Sequence, residues 1–128
     1  MANEIVIEKT THPKTKPDQS SLGFGQIFTD HMFIMDYTEG KGWHDPRIVP
    51  YGPLQVDPSI MVFHYGQATF EGLKAYKTKN GRILLFRPHD NIRRINISNQ
   101  RLCIPELDVD FAVQAIKTLV KLEADWIP

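Results

Sequence analysis

Proline decides where the helices of this 128-residue chain can begin and end. Its ring fixes φ and removes the backbone N–H, so it breaks a helix interior but suits the first helical turn. Pro46, Pro50 and Pro53 fall within Trp43–Leu54, which excludes helix there and favours extended, edge-like chain. Pro88 stands where a first turn accepts it, with Asp90 close behind and Ile92, Ile95, Asn99 and Leu102 at helical spacing. Pro105 ends that element. Asp108 then caps a second helix, whose Ala112, Val113, Ile116, Leu119 and Val120 form an amphipathic stripe. Asp57-Pro58-Ser59 starts a short helical turn that runs through Phe63.

Between these signals lie strands. Phe70–Lys77 and Arg82–Phe86 flank a Lys-Asn-Gly turn, and Asn80-Gly81 suits the positive φ angles of a type I′ hairpin. Phe24–Tyr37 is aromatic and β-branched; its Asp30-His31 pair reads as a turn, giving a hairpin over 25–30 and 32–38, followed by a loop at Glu39–Gly42. Residues 1–21 hold one short apolar patch, Ile5-Val6-Ile7, then a polar run interrupted by Pro13 and Pro17. That reads as an N-terminal arm or tail, the alternative being an edge strand at Ile5–Ile7. Residues 22–128 then form one α+β domain, an antiparallel sheet with two helices packed on one face.

Lys plus Arg and Asp plus Glu both total 15, so the formal net charge is zero and the broad positive field of a non-specific nucleic-acid binder is missing. No run approaches the roughly 18 apolar residues of a membrane span, and Met1–Ile7 has no secretory apolar core. Cys103 is the single cysteine, so no internal disulfide forms. The expectation is a cytoplasmic, soluble protein.

His64–Tyr76 packs three aromatics and two glycines into thirteen residues, a costly composition for a plain core strand. Such backbone comes close to something, and the arginines downstream imply an anion. Arg87, Arg94 and Arg101 recur every seven residues; Arg94 adjoins Ile95 at the flank of the apolar stripe, while Arg93 points further away. Spacing alone favours an ordinary solvated helix face. Tyr65, Phe70 and Tyr76 either wall an apolar pocket or fill the core, and composition favours the core. His12, His31, His44, His64 and His89 lack ligand spacing, so a zinc site is not expected. Asp30-His31 and His44-Asp45 are neighbours, which on a strand places their side chains on opposite faces and argues against a catalytic dyad. Ser20-Ser21 lies in the arm, and no Gly-rich phosphate loop is present. Lys74 lies among the aromatics, but nothing nearby in sequence would depress its pKa; it reads as a solvent-facing strand lysine.

Four blocks carry a resemblance: Phe24-Gly-Gln-Ile-Phe-Thr-Asp-His-Met, His64-Tyr-Gly with Phe70-Glu-Gly-Leu-Lys-Ala-Tyr, Leu85-Phe-Arg-Pro with Arg94, and Arg101-Leu-Cys-Ile-Pro. In this order, over residue 22 to the end, they resemble the N-terminal small domain of branched-chain amino-acid aminotransferases, fold-type IV enzymes that use pyridoxal phosphate. The resemblance implies that Arg94, eight residues after Phe86, binds the cofactor phosphate. It also implies that Tyr65 and Phe70 line the substrate side-chain pocket, with Phe24 a weaker member of the same wall. It implies branched-chain amino acids and 2-oxo acids as substrates, and a homodimer in which Tyr65 serves the neighbouring subunit's site. In the family the lysine that carries the chemistry lies in a larger C-terminal domain, and a Tyr-x-Arg segment that recognises the substrate carboxylate is expected just beyond residue 128. The chain is therefore expected to be a truncated piece, inactive alone, with no catalytic residue of its own, and Lys74 does not inherit the role. Other readings are a non-catalytic binding or dimerisation module of the same fold, and a relative of D-amino-acid aminotransferases or aminodeoxychorismate lyases. The arm and the Phe-Gly-Gln-Ile-Phe block fit the branched-chain group better.

Overall fold

The computed structural model describes residues 4–128. Along the chain come β1 (Val6–Ile7), β2 (His31–Thr38), β3 (Gly42–Pro50), α1 (Met61–Tyr65), β4 (Ala75–Lys77), β5 (Ile83–Leu85), α2 (Pro88–Arg101) and α3 (Val109–Leu122). The α+β class holds, but the strands form two sheets rather than one. β1-β3-β2 is mixed, with β1 parallel to β3, and β4-β5 is an antiparallel hairpin of its own.

The expected hairpin over 25–30 and 32–38 does not form. His31 opens β2, which turns through Glu39–Lys41 and pairs with β3, so that Phe33 faces Ile48 and Thr38 faces Gly42. The proline-rich stretch thereby becomes the central strand, not an edge. Pro46 fits there because the ladder is interrupted where it stands, and Pro50 is the last residue of the strand. Between the Ile34–Arg47 and Asp36–His44 pairs, Asp45 and Pro46 lie opposite Met35 alone, an extra residue that takes Pro46 out of the hydrogen-bonding register. Asp45 adopts φ 52° to make this bulge. Pro46 and Ile48, two residues apart, then share the buried face.

Ile48 is fully buried, and Val113 and Ala115 of α3 and Ile92 of α2 complete the core, with α3 on β2 and α2 on α3. Both helices start as expected: Pro88 occupies the first turn of α2, and the Asp108 carboxylate accepts the Phe111 N–H at 2.7 Å. The short α1 begins at Met61, beyond the turn that the Asp57 carboxylate closes on Ser59. The β4-β5 hairpin is tight, but its turn is not type I′. Gly81 alone has positive φ, and its N–H bonds the Thr78 carbonyl at 2.9 Å, a type I turn followed by a left-handed glycine.

The N-terminal arm is held down, not a tail. Val6 and Ile7 pair with Arg47 and Ile48, and the Glu8 N–H reaches the Ile48 carbonyl at 2.9 Å. Further on, the Thr10 N–H donates to His31 Nε2 (2.9 Å) and the Lys14 N–H to Asp30 Oδ1 (2.8 Å). Asp30 and His31 are buried and meet a third buried polar group, Glu123, at the end of α3. The Asp30 N–H donates to Glu123 Oε2 at 2.9 Å, His31 Nδ1 meets Oε1, and Trp126 Nε1 donates to Asp30 Oδ2 at 3.1 Å. The bond from the Lys14 amide, assisted by that from Trp126, holds the Asp30 carboxyl below the usual range. Residues 1–3 of the expected arm lie outside the described residues.

Candidate functional site

From Gln67 to Ala75 the chain runs extended along α2, with alternate residues turned inward. Gln67 Nε2 donates to the Leu102 carbonyl (2.7 Å) and Thr69 Oγ1 to Asn99 Oδ1 (2.7 Å); Asn91 Nδ2 donates to the Gly72 carbonyl at 3.0 Å. The partners on α2 descend from 102 to 91 as the strip ascends from 67 to 72, so strip and helix are antiparallel. A period of two follows from extended backbone: Gln67, Thr69, Glu71 and Leu73 face the helix, and Phe70 and Lys74 face away.

Glu71 is the charged member of the inward set. Arg94 Nε donates to its Oε2 at 2.7 Å and Arg94 Nη2 to its Oε1. Asn91 Nδ2 and the Gly72 N–H add bonds to Oε1, both at 3.1 Å. Chiefly through the Arg94 bonds, the Glu71 carboxyl is lowered to about 2, and the same contact raises the guanidinium's pKa. The Glu71 side chain is one-tenth exposed and that of Arg94 two-thirds exposed (10% and 67%). A fixed carboxylate thus holds one edge of a guanidinium whose Nη1 has no protein partner among the described residues.

The other helix arginines are placed differently. Arg87, at φ 47°, makes the corner between β5 and α2; both it and Arg93 pair with Asp90. Arg101 lies in the last turn, exposed. Arg94 is therefore set apart by its partner, which a seven-residue spacing cannot reveal.

Beside this pair lies a shallow groove of about 530 Å³. Phe24, Leu73, Tyr76 and Phe86 form its apolar sides, and Gly72 and Asn91, both bonded to Glu71, form the border it shares with the Arg94 pair. Of the aromatics singled out in the sequence, Phe24 enters this groove, although 98% exposed, and Tyr76 joins it. Phe70 (94% exposed) stands on the outer face of the strip and Tyr65 (80% exposed) on α1, both outside the groove. Neither fills a core. Lys74, exposed, is at the groove's edge.

The histidine–aspartate neighbours need correction. The left-handed Asp45 turns its carboxylate back, and His44 Nδ1 meets Asp45 Oδ2 at 2.7 Å while Nε2 meets Thr38 Oγ1 at 2.8 Å. Strand alternation does not apply across a bulge. The Asp45 side chain is two-thirds exposed and also near Lys41 Nζ (3.9 Å), so water competes for the carboxylate that would orient a base, and the row braces the bulge. Asp30 and His31 are likewise both buried, the imidazole on Glu123 and the Asp30 carboxylate on the Lys14 amide and Trp126. No group of three or more metal-ligating side chains occurs among the described residues.

Glu71, Asn91 and Glu123 escaped the sequence reading. The alternation Gln67-x-Thr69-x-Glu71 was a readable sign that one face of this stretch is polar and directed inward; for Glu123, 92 residues from His31, no local sign exists.

No protein-family model matches the chain. Curated relatives do. It is 63% identical over 121 residues to "Branched-chain-amino-acid transaminase 1" of Bacillus subtilis (strain 168), covering 94% of this chain and 34% of the relative. To "Branched-chain-amino-acid aminotransferase 2" of the same organism it is 55% identical over 124 residues, 97% of this chain and 34% of the relative. A "Probable branched-chain-amino-acid aminotransferase" of Staphylococcus epidermidis (strain ATCC 35984) matches all 128 residues at 50% identity, 36% of its own length. The chain thus spans about a third of the length of the curated relatives it matches.

Proposed function

We propose that this chain, a homologue of about a third of the branched-chain-amino-acid aminotransferases, is the part of such an enzyme that anchors the phosphate of pyridoxal phosphate and walls the substrate side-chain pocket. The reaction is transfer of an amino group from leucine, isoleucine or valine to 2-oxoglutarate. The observation that carries this reading is Arg94 fixed by Glu71 beside an aromatic groove.

The residues fit the cofactor's phosphate end. A phosphate monoester takes a charge-assisted N–H from a guanidinium, and Nη1 has no protein partner among the described residues. Glu71 would repel the anion if bare, but three donors surround Oε1 and a fourth meets Oε2, which directs its charge back into the protein. When bound, the cofactor supplies the electron sink for the chemistry. Arg94 holds and orients, and Phe24, Tyr65 and Phe70 offer apolar surface for a branched side chain, a kind of wall that separates such substrates weakly per methylene. No residue of this chain is assigned the reacting amine; Lys74 is exposed.

The outward Phe70 and Tyr65 belong to a surface built to be covered. A compact 14.7 kDa protein exposes about 6,900 Å², whereas this chain exposes 9827 Å², roughly 40% more. Leu54, Phe63, Tyr65, Phe70 and Phe86 are all more than 60% exposed. We assign that surface to the rest of the enzyme and to a second subunit, in a cytoplasmic homodimer.

The test is to supply the 128-residue chain with pyridoxal phosphate, leucine and 2-oxoglutarate, then reduce with borohydride and map the lysines. The expected result is no glutamate and no lysine labelled stoichiometrically, with Arg94→Gln weakening binding of the phosphorylated cofactor but not of pyridoxal. Turnover at an ordinary enzymatic rate, a stoichiometric label on Lys74, or indifference of binding to Arg94 sinks the reading.

A further inference from the structure

We propose that Glu71 is a positioning residue, whose carboxylate holds the Nε and Nη2 edge of Arg94 and thereby presents Nη1 to an incoming phosphate. The inference rests on the reading of Arg94 as the phosphate ligand and adds how that arginine is aimed.

An exposed arginine on a helix samples many rotamers, and fixing it costs side-chain entropy each time it binds. Here most of that ordering precedes binding. Two parallel N–H···O bonds to one carboxylate define the plane of the guanidinium as well as its position. The carboxylate is itself fixed, by Asn91 from the preceding turn of α2 and by the Gly72 amide, the next peptide along the strip. Asn91 also bonds the Gly72 carbonyl, so strip, helix and carboxylate form one closed network. The arginine's alternatives are few: Asp90, the acid nearest along α2, pairs with Arg87 and Arg93.

Charge and geometry predict opposite signs for removal of Glu71. If the carboxylate acts only as a negative charge near an anion site, Glu71→Gln removes repulsion, adds one unit to a net charge of zero, and tightens phosphate binding. If it positions Arg94, the same change loosens the fork and weakens binding although the net charge has become more favourable.

Inorganic phosphate is titrated into the chain while the arginine side-chain Nε–H signals are followed by NMR, in parent, Glu71→Gln, Asn91→Ala and Arg94→Gln proteins. In the parent, the Arg94 Nε–H is expected as a distinct, slowly exchanging signal that phosphate shifts. Glu71→Gln is expected to erase that signal and to weaken phosphate binding by roughly threefold or more. Asn91→Ala, which leaves the ion pair but not its brace, is expected to change both readouts in the same direction by less, and serves should Glu71→Gln disturb the fold. Phosphate binding unchanged or tighter in Glu71→Gln, with Arg94→Gln binding none, overturns the positioning role and leaves Arg94 as the ligand. Binding indifferent to Arg94→Gln overturns both.

Discussion

Replacing Glu123 by glutamine removes one charge and adds an amide NH₂, almost without changing shape, at the point where α3 meets the start of β2. The Thr10 N–H donates to His31 Nε2, so the imidazole proton resides on Nδ1 and points at Glu123 Oε1, while Oε2 takes the Asp30 N–H at 2.9 Å. Glutamine has one acceptor oxygen for these two donors. Whichever way its amide is turned, an N–H faces an N–H; moving the imidazole proton to Nε2 passes the conflict to Thr10. A buried donor left unpaired costs about 1–3 kcal/mol, and losing the charge assistance of the other bond about 1 more. The loss is therefore about 2–4 kcal/mol. With an unfolding entropy of about 2.1 cal/mol/K per residue, that lowers the melting temperature of a chain this size by roughly 7–15 °C. Thermal melts followed by circular dichroism and urea titrations of parent and Glu123→Gln check it, with Asp125→Asn, an exposed neighbour, expected to change little. A Glu123→Gln loss below about 0.5 kcal/mol refutes the reasoning, because the two donors would then have found water.

Ile48→Ala, at the fully buried centre of β3, is expected to cost about 2–5 kcal/mol in the same melts; a loss under about 1 kcal/mol means that the sheet face is not the core. Gly81→Ala meets no atom within 4 Å but must hold φ 80°, so its cost of about 1–2 kcal/mol is backbone strain alone, and Gly81→Asn is expected to recover part of it. Carboxyl chemical shifts against pH are expected to show Glu71 titrating near 2, and Arg94→Gln to return it toward the ordinary 4.5. Because the folded value lies below the unfolded one, the pairing's contribution to stability is full above about pH 4.5 and fades as pH falls toward 2. Equal midpoints in the two proteins refute the ion pair.

The elements legible in the sequence were those whose determinants lie within a few residues of each other. Pro88, Asp90 and Asp108 announce α2 and α3, and Gly81 announces the β4-β5 turn, although which turn depends on Asn80 keeping negative φ. The β2-β3 hairpin was not legible, because Asp30-His31 has turn-like composition while its role is set by Glu123, far along the chain. Pro46 misled for a related reason: proline belongs at edges except where a bulge suspends the ladder, and the bulge becomes visible only once two strands are paired. At the site, the family motifs picked Arg94 from the evenly spaced arginines. The carboxylate that makes it different, Glu71, stood inside one of those motifs; its role appears only when the strip lies along α2.

The single imidazole of His31 receives the arm from one side and α3 from the other. Glu123 favours the tautomer whose Nε2 lone pair receives the Thr10 amide, so the middle of the arm and the end of α3 are coupled through one ring. Loosening one loosens the other: a protease that reaches the chain beside Thr10 should do so faster in Glu123→Gln, although residue 123 lies on a different element.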